Sequence, residues 1–75
     1  MLPQAYLNPN HRLRTAREAS GLAQYALAVM AGTSPTTVLA IGRYGHCPRY
    51  AVRERIARAL NLSVADIWPE GEGLA

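Results

Sequence analysis

The side chains that could carry chemistry in this 75-residue chain are few and scattered. His11 and His46 stand far apart. Cys47 beside His46 offers two metal ligands, and no second pair occurs to complete a site. The acids Glu18, Glu54, Asp66, Glu70 and Glu72 form no evident acid–base pair. There is no serine–histidine–aspartate arrangement and no glycine-rich phosphate loop. The reading is therefore a non-enzyme that needs no metal and no cofactor. What the chain does supply is guanidinium, in eight arginines with no lysine. Arginine is a planar, permanently charged fork suited to phosphate and to the acceptor edge of guanine. The missing lysine also has a compositional reading, a GC-rich coding sequence.

The arginines are unevenly opposed. The formal net charge is +3, yet residues 1–65 set eight arginines against Glu18 and Glu54 alone, a net of +6. The last ten residues hold Asp66, Glu70 and Glu72. A basic body with an acidic tail suits a polyanionic partner. One cysteine excludes an internal disulfide framework and fits a cytoplasmic setting. No apolar run approaches the roughly 18 residues of a membrane span. The start, MLPQAYLNPNHR, lacks the basic-then-apolar build of a secretory signal.

Helices must position these groups. Apolar residues are 49% of the chain and fall at helical spacing, which predicts one folded domain. A chain this short buries only about 60% of its unfolded surface, so its stability is marginal. Residues 1–8 read as a flexible N-terminal arm, 9–69 as the domain and 70–75 as a flexible acidic tail. A first helix starts with Asn8 as cap and Pro9 at its first position, or with Asn10 as cap, and runs to about Ser20. Leu13 and Ala16 face inward, and Gly21 ends it.

A second helix covers about 24–31. Leu22 and Leu27 are spaced as a hydrophobic staple, and Ala23 at the cap forgoes roughly 1 kcal/mol against serine or threonine. Gly32 ends this helix. Ser34 then caps a third, with Pro35 at its first position, running through Val38 and Ile41 to about Gly42. Residues 43–48 form a loop. A fourth helix, about 50–60, shows the stripe Val52, Ile56, Ala59, Leu60 and places Arg49, Arg53, Glu54 and Arg58 away from its centre. Asn61 ends it. Ser63 and Asp66 have capping-box spacing for a short fifth helix, with Leu62 and Ile67 as its staple. Trp68 is a core plug, with a dimer contact as its minority reading. No strand pattern is present.

The stretch QYALAVMAGTSPTTVLAIGR, residues 24–43, meets the steric demands of two helices joined by a tight turn. Ala28 is small where the helices cross. Gly32 allows a positive φ at the turn. Leu27, Ala31, Val38 and Ile41 are placed to bury together. Such a unit commonly sends its second helix into the DNA major groove.

With LRTAREASGLAQ before it, a Pro48 ahead of the fourth helix and IARALNLSVADIW after, the chain resembles the lambda-repressor-like (Cro/repressor, XRE-type) helix-turn-helix family. SPTTV with IWP is also similar to the Ner-like regulators of transposable phages. The resemblance implies an all-α, compact five-helix fold with the helix-turn-helix at helices two and three. It implies double-stranded DNA as partner, a homodimer, and a transcriptional regulator of repressor type. It places Gln24 on a phosphate, Pro35, Thr36, Thr37 and Ala40 near base edges, and Arg43 at the end of the recognition helix near the backbone. His46 and Arg49 fall in a loop that contacts phosphates. Tyr25 and Tyr50 have phosphate bonding or half-buried packing as their two readings.

Two departures matter. Pro35 and Ala40 replace side chains able to make bidentate base contacts, so the expectation is modest direct readout and more reliance on phosphates and DNA shape. Gly42 stands where members often carry a glutamate that pairs with the arginine at Arg17. The expectation is therefore that Arg17, without that partner, turns outward to a phosphate. A protein-interaction module on the same fold, or the antitoxin of a toxin–antitoxin pair, is the alternative function.

Overall fold

The computed structural model describes residues 9–69. They form α1 (His11–Ala19), α2 (Gln24–Ala31), α3 (Pro35–Tyr44), α4 (Tyr50–Ala59) and α5 (Val64–Ile67), with no strand among the described residues. The readings of residues 1–8 as an arm and 70–75 as a tail lie outside the described residues.

Each helix starts and stops for local reasons. Asn10 is the cap of α1, its Oδ1 accepting the Leu13 N–H at 3.0 Å. The same residue donates from Nδ2 to the Ile67 carbonyl at 3.2 Å and from its backbone N–H to the Ile41 carbonyl at 3.3 Å. One asparagine thus begins α1 and ties it to α3 and α5. Ala23 gives α2 no side-chain cap, as expected, and Gly32 closes that helix at φ +67°. Ser34 caps α3, its Oγ accepting the Thr37 N–H at 3.1 Å.

α3 continues two residues past the expected stop at Gly42. A helix ends where a left-handed residue lets its last carbonyls find donors, and that residue is Gly45 at φ +74°. The Gly45 N–H reaches the Ile41 carbonyl at 3.1 Å, and the His46 N–H reaches Ala40 at 3.2 Å. Asn61, at φ +57°, follows the end of α4. In α5 the capping box forms in both directions: Ser63 N–H to Asp66 Oδ2 at 2.9 Å, and Asp66 N–H to Ser63 Oγ at 3.3 Å. The backbone and side-chain bonds from Ser63 hold the Asp66 carboxyl below its ordinary pKa, and the charge of Arg12 adds to them.

The core draws on all five helices: Leu13, Leu27, Ala28, Ala31, Val38, Ile41, Ile56, Ala57, Leu60, Val64, Ile67 and Trp68. Trp68 is buried in it, as the core-plug reading expects. On α4 the buried face is centred on Ile56 and Ala57, with Val52 and Ala59 packed at its margin. This corrects the placing of Arg53, which is only 2% exposed. Three and four residues before Ile56 and Ala57, it shares their face. There its Nε donates to the Pro48 carbonyl at 2.9 Å. The guanidinium also lies 5.2 Å from the Tyr50 ring centroid.

Candidate nucleic-acid interface

α3 leaves the direction of α2 at 117°. That lies within the range of a helix-turn-helix. The angle depends on a close approach, and Ala28 is fully buried on the packed face of α2. Leu27, Ala31, Val38 and Ile41 are buried with it, as the pattern requires. No single helix among the described residues is long and apolar enough to cross a membrane.

With Val38 and Ile41 inward, a helical rotation of about 100° per residue puts Thr36, Leu39, Ala40 and Arg43 on the opposite face of α3. Thr36 and Arg43 are exposed, while Leu39 and Ala40 are half-buried. Pro35, also exposed, and Thr37 flank this face at its start. The Thr37 Oγ1 sits 2.9 Å from Ser34 Oγ, so its hydroxyl is already engaged in the cap.

Beside this face, between α1 and α3, runs a groove of about 220 Å³. Arg14, Arg17, Gln24 and Arg43 line it over Leu13 and Val38, with His11 also in its lining. No acid appears among its described lining residues. Arg14 meets Glu18 only loosely, at 3.6 Å between two exposed side chains. The groove is open beside Gly42, where an added Cβ would meet nothing within 4 Å. The structure thus brings together Arg17, Gln24 and Arg43 from three helices. His46 and Arg49 are exposed in and after the turn that follows α3, outside this groove.

Arg17 is not the partnerless guanidinium expected from Gly42. Its Nη1 donates to the Leu22 carbonyl at 2.7 Å, across the turn between α1 and α2. A backbone carbonyl has taken the place of a carboxylate, and the side chain is half-buried along the groove.

Sequence reasoning missed three residues here. Arg14 lies one turn before Arg17 on the same face of α1, a spacing that could have flagged it. Leu39 went unread, although the helical phase of Val38 and Ile41 puts it on the outer face. Arg55, which reaches the α2–α3 turn from 24 positions away, left no local signal. Tyr25 is 69% exposed beside Gln24, and Tyr50 is half-exposed against Arg53. Cys47 is an exposed free thiol. Among the described residues no three of His, Cys, Asp or Glu gather as metal ligands.

The family model described as helix-turn-helix matches residues 13–67. It begins at the buried Leu13 and ends at the buried Ile67, so it spans the core. No curated protein matches the sequence. With most of its length matched and its two central helices in this geometry, the chain belongs to the XRE, lambda-repressor-like helix-turn-helix family and so to the DNA-binding regulators.

Proposed function

We propose that this chain is a sequence-specific transcriptional repressor that lays α3 in the major groove and acts by occupying an operator. Support comes from the outer face of α3, exposed at Thr36 and Arg43, which adjoins an arginine-lined groove with no acid among its described lining residues. Thr36 and Ala40 touch base edges, with Pro35 and Thr37 at the entry. Threonine bonds either kind of base edge and its methyl packs on thymine. Gln24, Arg17 and Arg43 hold the phosphates on one side, and His46 and Arg49 hold them beyond the end of α3. Phosphate contacts set the register and short side chains read few bases, so binding leans on backbone and DNA shape.

One such module presents a small surface, and a homodimer on two half-sites is the arrangement that gives it useful affinity. α5 and the neighbourhood of Trp68 are the first place to seek its interface. DNA as partner is the ground for a cytoplasmic setting. The test is a salt-titrated anisotropy measurement on a random-sequence duplex. Three arginines per subunit predict a slope of log K on log salt of about −3 for one subunit and nearly twice that for a dimer. A flat salt response would refute the reading.

A second reading has its own observation. Tyr25, Val29 and Met30 leave an apolar outer face on α2 exposed. A protein-interaction module, or an antitoxin holding its toxin there, would use that face. Retained DNA binding in a Val29→Glu variant would separate this surface from the DNA reader.

A further inference from the structure

The turn that sets the recognition helix is held from outside the motif. α2 has no side-chain cap at its start. At its end, the Gly32 N–H bonds the Val29 carbonyl at 3.2 Å and the Thr33 N–H bonds Ala28 at 2.9 Å. These amides serve carbonyls inside the last turn. The carbonyl of Ala31, the last residue of α2, instead accepts from the Arg55 Nε of α4 at 2.9 Å. This bond is charge-assisted, and it sets a cation at the negative end of the helix. The guanidinium also lies against the turn itself, since a Cβ on Gly32 would stand 3.9 Å from that Nε. Three residues beyond Ala31, Ser34 caps α3, so a shift of the Ala31 peptide is passed on to the start of the recognition helix.

We propose that Arg55 is a positioning residue: it clamps the end of α2 and fixes the angle at which α3 is presented. The effect on DNA rests on the reading above; the clamp does not. Arg55 is exposed and lies outside the core cluster, so replacing it leaves the core intact. Two variants of the full chain, Arg55→Ala and Arg55→Lys, test the idea in two arms.

Without DNA, amide hydrogen exchange of Gly32 and Thr33 is followed by NMR. Arg55→Ala accelerates these amides about tenfold relative to those of α1, and Arg55→Lys, which keeps a charged donor, restores most of the protection. Unchanged exchange at the turn, or an equal acceleration throughout the protein, overturns the clamp whether or not the chain binds DNA.

With DNA, affinities for a selected site and for random duplex are compared across salt. Arg55→Ala weakens the selected site about tenfold, an effect the size of one mismatched base pair, and leaves random-duplex affinity and the salt slope unchanged. Equal losses on both duplexes, with the slope reduced by about 1, would make Arg55 a phosphate contact and overturn the positioning role. If the unaltered chain binds neither duplex, the DNA reading fails while the exchange arm still decides the clamp.

Discussion

Two glycines ten positions apart should respond oppositely to the same substitution. Gly42 lies inside α3 with no positive φ, and an added Cβ meets nothing within 4 Å. Alanine is favoured over glycine by about 0.8–1.0 kcal/mol in a helix interior, so Gly42→Ala should stabilise by nearly that amount. Gly32 closes α2 at φ +67°. Its Cβ would meet Arg55 Nε at an ordinary 3.9 Å, so sterics with neighbours are not the obstacle there. The obstacle is the left-handed backbone, which costs an L residue about 1–2 kcal/mol, partly offset by the stiffer unfolded chain. Gly32→Ala should therefore destabilise by about 1 kcal/mol. For a domain of this size, 1 kcal/mol moves Tm by roughly 4–8 °C. Thermal melts followed by circular dichroism, with urea titration as a second measure, should place the two variants on either side of the unaltered protein. A lower Tm for Gly42→Ala would refute the open groove beside α3. An unchanged Tm for Gly32→Ala would refute the claim that the turn requires a left-handed residue.

Ala28→Leu should lower stability by about 1–3 kcal/mol or more, because the packed face of α2 has no space for three further carbons; urea midpoints check this. Arg53→Ala should cost about 1–3 kcal/mol from the Pro48 carbonyl it leaves without this donor, while Arg49→Ala on the exposed side should stay within about 0.5 kcal/mol. Asp66 ionises more readily in the folded chain than in the unfolded one, so its capping contribution is present above the ordinary aspartate range and fades as pH falls through the lowered folded value. Asp66→Asn should flatten the acid limb of stability against pH; an unchanged limb would remove the capping box from the account.

Much of the fold was legible because its determinants are local. Ser34–Pro35, Gly32 and the Ser63–Asp66 box each act within four residues, and each stands where its spacing predicts. The buried positions of the helix-turn-helix were legible for a related reason, since one period of 3.6 orders them all. The charged residues were harder. Arg53 looks like a solvent residue until the 45–49 loop folds over it and offers the Pro48 carbonyl. Arg17 looks orphaned because sequence comparison seeks a carboxylate, and a backbone carbonyl leaves no mark in residue identities. Gly42 looks like a stop, yet the left-handed cap that α3 uses is at Gly45. In each case the deciding group is a nearby backbone amide or carbonyl, whose place depends on the turn the chain takes rather than on side-chain identity.

If the outer face of α3 reads DNA, selection of bound duplexes from a random pool should enrich short half-sites in symmetric pairs, with centres about 10–10.5 base pairs apart or a multiple of that. Thr36→Ala with Arg43→Ala should erase the enrichment while the protein stays folded. No enriched sequence, or the same enriched sequence after both substitutions, would contradict that reading.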